Sequence, residues 1–158
     1  MRLKTFVLLA VVGTATVSAQ ELIMQKALSL DVAMAIGQGA LAQCRADGFK
    51  VSVTIVDATG TVKFQLHDDG AGPHTKDFSR RKAYSAFTFK RSSSDTGKAW
   101  AAAPPAPNIQ DAVGTPGGIP IKAGDVVIGG IGVSGAPGGD KDEVCANAGI
   151  AKVAAKLK

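Results

Sequence analysis

Lys50-Val51-Ser52-Val53-Thr54-Ile55-Val56-Asp57-Ala58-Thr59-Gly60-Thr61-Val62-Lys63-Phe64-Gln65-Leu66 decides the fold. Its first limb alternates, with Val51, Val53 and Ile55 on one side, as a strand with one face on a core requires. Asp57-Ala58-Thr59-Gly60 has turn chemistry, because Asp bonds its own backbone and Gly supplies φ > 0. The second limb returns with Val62, Phe64 and Leu66 on one side. The stretch is a β-hairpin, and antiparallel pairing with helices set around it points to an α+β domain rather than a doubly wound parallel sheet.

The hairpin runs straight into His67-Asp68-Asp69-Gly70-Ala71-Gly72-Pro73-His74-Thr75, which holds both histidines of the chain and two adjacent carboxylates. Thr75 is expected to cap a helix over 76–91. That helix is the most basic element, with Lys76, Arg80, Arg81, Lys82, Lys90 and Arg91, and Phe78, Ala83, Ala86 and Phe87 form its expected buried side. Residues 92–100 fit a short helix or a loop, and the Ala/Pro-rich run 101–107 an extended surface segment.

Upstream, Ser29 is suited to cap a helix, with Asp31 in the first turn. Leu30, Met34, Gly37, Leu41 and Cys44 then recur at helical steps, Gly37 and Gly39 permit close packing, and Gly48 is a suitable stop. Downstream, a glycine turn from Gly114 leads into a short strand through Ile119 and Ile121. Residues 126–134 form the strongest strand, with Val127, Ile131 and Val133 on one face and Gly130, Gly132 and Ser134 on the other. The bare face admits a helix, a ligand or another subunit. Asp140 to Glu143 has capping-box spacing and opens a last helix to about Leu157, with Val144, Ala148, Ala151 and Ala155 on one stripe.

The 158 residues suffice for one domain. Residues 1–19 read as a cleaved signal peptide: Arg2 and Lys4, a short apolar stretch, then Val17-Ser18-Ala19 before Gln20. Residues 20–28 form an N-terminal arm, and residues 29–158 the single domain. Cleavage removes two positive charges and no acidic one, so the net charge falls from +5 to +3. That mild excess lacks the concentrated basic face of a nucleic-acid binder. No later segment is apolar enough to span a membrane. Export to the periplasm or the medium permits a disulfide between Cys44 and Cys145; the alternative is two separate small core residues. No CxxC pair exists. Ser134 does not sit in a G-x-S-x-G elbow, and residues 129–135 read as a strand rather than a dinucleotide-binding turn.

Val56-Asp57-Ala58-Thr59-Gly60, Asp69-Gly70-Ala71, Lys82-Ala83-Tyr84-Ser85-Ala86, Gly117-Gly118-Ile119-Pro120-Ile121, Gly129-Gly130-Ile131-Gly132-Val133-Ser134-Gly135 and Asp142-Glu143-Val144-Cys145-Ala146 stand in this order along the chain. Order and spacing together resemble the GlcG/HbpS-like haem-binding (haem-degrading domain) family, over residues 29–157. His67-Asp68 stands where that family is often basic, and Ser85 replaces the commoner Thr. Gly72-Pro73-His74-Thr75 suits the exported branch. The resemblance implies a profilin-like α/β/α sandwich around an antiparallel sheet, a homo-oligomer, and non-covalent binding of b-type haem.

Haem needs an axial ligand, an apolar slot and cations for its propionates. His74 is the first choice for the iron, Thr75 the neighbouring oxygen candidate, and His67 a second ligand or distal hydrogen-bonding group. Arg80, Arg81 and Lys82 answer the propionates, and Phe78, Phe87 and the glycine face form the slot. The expected role is haem capture, sequestration or slow iron-releasing degradation. Two other readings stand beside it. One is an enzyme with a small-molecule or metal site built from His67, Asp68, Asp69 and His74, since His with carboxylate suits Fe(II) or Zn. The other is a non-catalytic interaction protein whose glycine face and basic helix build an oligomer.

Overall fold

The computed structural model describes residues 23–104 and 108–158. The elements are α1 (Leu30–Ala46), β1 (Ser52–Asp57), β2 (Val62–His67), α2 (Thr75–Phe89), α3 (Ser93–Ala102), β3 (Gly118–Ala123), β4 (Val126–Ser134), α4 (Gly139–Ala151) and a 3-10 turn at Ala154–Lys156. The four strands lie in the order β2-β1-β4-β3, every neighbouring pair antiparallel. Helices α1 and α4 cover one face of the sheet and α2 the other. This is the α+β sandwich expected from the hairpin and from the family resemblance.

The hairpin closes at Gly60, whose N–H donates to the Asp57 carbonyl at 3.0 Å. Val51, Val53 and Ile55 enter the main core with Ile36, Ala40, Ile131 and Val133. Ser52, Thr54 and Val56 are equally buried, so this central strand is covered on both faces. On β4, a Cβ added to Gly130 would fall on the Ala83 carbonyl, and one on Gly132 on the Ser79 carbonyl. The occupant of the bare glycine face is therefore α2. It sits so close that its inner stripe is small or polar, namely Ser79, Lys82, Ala83 and Ala86, and Phe78 and Phe87 are only half-buried.

Several boundaries and faces differ from the sequence expectations. Thr75 is not the cap of α2 but its first residue; His74 holds the cap position without a side-chain bond. The helix stops at Phe89, where Lys90 takes φ 55°, so Lys90 and Arg91 fall outside it. Ser29 does cap α1, accepting from Val32 N–H at 3.3 Å. The inner stripe is Ala33, Ile36, Ala40, Leu41 and Cys44, while Leu30 is half exposed. Val127 leaves the core face because Ile128 is an extra residue opposite β3, and this bulge turns Ile128 inward instead.

Helix α4 is capped at Gly138 rather than Asp140, ends at Ala151, and turns Asp142, Cys145, Ala146 and Gly149 inward. Val144, Ala151 and Ala155 are exposed. The interior selected the smallest residues, because a Cβ on Gly149 would meet the Ile36 carbonyl of α1. Cys44 and Cys145 are disulfide-bonded, joining α1 to α4 at a Cα separation of 5.5 Å. Residues 92–100 lie in α3 or at its Ser92 cap. Ala101 and Ala102 continue that helix, and residues 105–107 of the proposed extended run lie outside the described residues. So do the signal segment and residues 20–22 of the arm. The rest of the arm runs over the surface until Leu28 enters the core.

Candidate functional site

Four buried hydroxyl residues, Ser52, Thr54, Thr75 and Ser79, meet between α2 and the β1–β2 hairpin. Ser52 and His67 are directly paired across the two strands, so both side chains point to the α2 side of the sheet. Thr75, fully buried, enters from the first turn of α2. Ser52 Oγ lies 2.7 Å from His67 Nδ1 and 2.7 Å from Thr75 Oγ1. Thr75 Oγ1 in turn donates to the Gly72 carbonyl at 2.6 Å. One turn on, Gln65 Nε2 donates to Thr54 Oγ1 at 2.8 Å, and Thr54 Oγ1 meets Ser79 Oγ at 2.7 Å. These hydroxyl rungs fasten the start of α2 to the hairpin.

Both histidines are exposed. The His74 ring lies against Gly72, where an added Cβ would come within 2.8 Å of its Cε1. Its side chain makes no hydrogen bond among the described residues. His67 is held at Nδ1 by Ser52, and its Nε2 has no protein partner among the described residues. The loop thus brings His67, His74 and Thr75 to one corner.

Asp68 does not join them. As the next residue along the chain it turns to the opposite side of the sheet, where its side chain is 1% exposed. Its Oδ1 accepts from Arg45 Nη2 at 2.6 Å and Arg45 Nε at 3.1 Å. That guanidinium holds the Asp68 carboxyl below the usual carboxylate range against the opposing effect of burial. The metal site expected from His67, Asp68, Asp69 and His74 is therefore not assembled. No group of three or more His, Cys, Asp or Glu able to hold a metal ion occurs among the described residues.

The three cations assigned to propionates separate as well. Arg80 is bound by Asp77 at 2.8 Å and Asp111 at 2.7 Å. Lys82 is interior: its ammonium donates to Asp142 at 2.8 Å and to the Val133 carbonyl at 3.0 Å. Arg81 touches only the Ala112 carbonyl, at 3.4 Å, and has no carboxylate partner among the described residues. Phe78 is half-buried with the Lys82 ammonium 5.2 Å from its ring centre. A cavity of about 290 Å³ lies elsewhere, between the arm and the last residues, lined by Lys26, Leu28, Val32, Ile128, Lys156 and Leu157 among others. It contains none of the residues assigned to haem. Sequence reasoning missed Ser52 and Asp142. The alternation of the hairpin placed Ser52 on the non-core face, but nothing local marked either partner.

Similarities to known proteins follow the same lines. The family model described as "Haem degrading protein HbpS-like" matches residues 28–151. The structure resembles that of HbpS at a TM-score of 0.81 and 37% identity, over 85% of this chain and 97% of that one. It resembles a double mutant of Streptomyces reticuli HbpS at 0.80 and 37%, over 88% and 97%. It shares its fold with PduOC, solved in complex with haem, at 0.72 and 24%, over 80% and 95%. No curated protein matches the chain.

Proposed function

Because the chain belongs to the HbpS-like family of haem-degrading proteins, we propose that it is an exported haem-binding protein that captures and sequesters haem outside the cytoplasm. The observation that carries this reading is His67: an exposed imidazole oriented through Nδ1, with Nε2 free of protein partners among the described residues. Metal-ligating histidines are set in this way by a hydrogen bond on the second nitrogen. His74, on the same corner but without such a bond, is the second ligand or a distal group. Thr75 acts through Ser52 rather than as an oxygen ligand, since its hydroxyl is buried.

The haem is b-type and non-covalent, because both cysteines are consumed by their disulfide and no thiol remains to attach a vinyl group. Arg81 is the cation for a propionate, and Phe78 contributes to the apolar wall. The disulfide and the pattern of residues 1–19 support a periplasmic or secreted location. The resemblance to its family supports a homo-oligomer. No helix among the described residues is long and apolar enough to cross a membrane.

Bound haem would supply a redox-active iron, and haem degradation is the activity for which the family is described. If haem binds at this corner, His67 would hold it, with His74, Arg81 and Phe78 as the further groups of this chain assigned to it. An absorbance titration with ferric haem tests the reading on the mature protein, His67→Ala and His74→Ala. A saturable, shifted Soret band that changes in His67→Ala is the expected result. A band that stays unshifted and never saturates rules out haem binding. Ascorbate added in air then separates the two roles: a persistent Soret band means sequestration, and its loss with iron release means degradation.

A further inference from the structure

The hydrogen bonds behind His67 leave only one arrangement of protons. The Gly72 carbonyl has no hydrogen to give, so in the 2.6 Å contact Thr75 must donate. A hydroxyl carries one proton, so Thr75 has none left for Ser52. In the 2.7 Å contact between the two hydroxyls Ser52 therefore donates and Thr75 accepts. Ser52 has then spent its own proton as well. At 2.7 Å from His67 Nδ1 it can only accept, and the imidazole must donate. The neutral ring is thereby held as the Nδ1–H tautomer, and the lone pair is on Nε2.

From this chain of donors we infer that Ser52 and Thr75 are positioning residues which fix His67 as the Nδ1–H tautomer and so make Nε2 its ligating nitrogen. The relay crosses three elements: it begins at a loop carbonyl, passes through the first residue of α2, and reaches the end of β2 through β1. Its geometry is rigid, because Ser52 and Thr75 are fully buried. The tautomer holds whether or not haem is present. Its use toward iron rests on the function proposed above.

The test starts with haem-free protein. Long-range nitrogen–proton NMR spectra of the His67 ring are recorded, and the tautomer is read from its two ring nitrogens. Wild type is expected to show a protonated Nδ1 and a bare Nε2. Thr75→Val keeps the shape of the buried side chain and removes its hydroxyl. Ser52 is then released to donate to Nδ1, and the ring should invert to the Nε2–H tautomer. Thr75→Ser keeps the relay and should retain the wild-type pattern. A protonated Nε2 in wild type, or the same tautomer in Thr75→Val and wild type, overturns the inference.

The haem titration supplies the second reading. Thr75→Val should bind ferric haem about tenfold or more weakly, the usual toll of disturbing the hydrogen bond behind a metal-ligating histidine, and Thr75→Ser should recover it. If His67→Ala leaves haem binding unaltered, the assignment of iron to His67 fails. The NMR result still decides the tautomer on its own.

Discussion

Lys82 Nζ lies 2.8 Å from Asp142 Oδ2, with the two side chains only 2% and 3% exposed. The pair joins α2 on one face of the sheet to α4 on the other, around the end of β4. Each partner has a further bond: Lys82 donates to the Val133 carbonyl, and Asp142 Oδ1 accepts from the Ala136 N–H at 3.0 Å. Burial pushes the Asp142 carboxyl upward, and Lys82 works against that shift.

Removing one partner alone should therefore cost far more than removing both. Lys82→Met leaves Asp142 buried without its cation, and the expected loss is about 3 kcal/mol or more. Adding Asp142→Leu removes the stranded carboxyl, and the double variant should recover most of that loss. Urea unfolding of the two single variants and the double variant checks this. Equal and additive losses would mean that the pair is not coupled.

Asp68 predicts the acid limb of the stability curve. Arg45 lowers its folded-state pKa, whereas in the unfolded chain it titrates near pH ~4. The folded state then binds fewer protons than the unfolded state between those two values. The stabilisation is complete above the unfolded pKa and is lost as pH falls through the lower, folded one. Urea midpoints followed downward from pH ~6 should fall more steeply in wild type than in Asp68→Asn, which has no carboxylate to protonate. Parallel curves would show that the Arg45 contact contributes nothing to acid stability.

The disulfide predicts a large cost of reduction. Cys44 and Cys145 are 101 residues apart in sequence and join two helices of the same layer. Closing a loop of that size restricts the unfolded chain by about 4–5 kcal/mol on the chain-entropy account. Guanidinium unfolding with and without a thiol reductant should differ by roughly that amount. Cys44→Ala with Cys145→Ala should match or exceed the reduced protein, since it also removes two buried sulfur atoms.

How far the sequence reached depends on the range of each interaction. The hairpin was legible because alternation over residues 51–66 and the Asp57–Gly60 turn are local patterns. The close seat of α2 was foreshadowed by Gly130 and Gly132, whose bare face implied a near neighbour. The inward face of α4 was not legible, because the stripe of Val144 and three alanines is no less apolar than the face that is buried. The interior took Asp142, Cys145 and Gly149 instead, for an ion pair, a disulfide and a helix crossing. Lys82 was hidden within a basic run, and its partner lies 60 residues away in sequence. The relay from Gly72 to His67 was invisible for the same reason: Ser52 lies 15 residues from His67 and 23 from Thr75. Both histidines and Thr75 were named from one crowded loop, of which the structure links Thr75 to His67 through Ser52.

Arg80 and Arg81 are neighbours in sequence, and their contacts predict opposite phenotypes. The Arg80 guanidinium is satisfied by Asp77 and Asp111, which leaves it little charge to offer a ligand. Arg80→Ala should cost about 0.5–1 kcal/mol of stability, as a partly exposed ion pair does, and leave haem affinity nearly constant. Among the described residues Arg81 has only a long contact to a backbone carbonyl, so its charge is available to a propionate. Arg81→Ala should weaken ferric haem binding by roughly fivefold, equivalent to about 1 kcal/mol, with little change in the unfolding midpoint. The loss should shrink as salt is raised, because an exposed charge pair is screened. Titrating both variants at low and high ionic strength separates the two residues. A larger affinity loss in Arg80→Ala than in Arg81→Ala would transfer the propionate to the arginine that already holds two carboxylates, and would refute this division of roles.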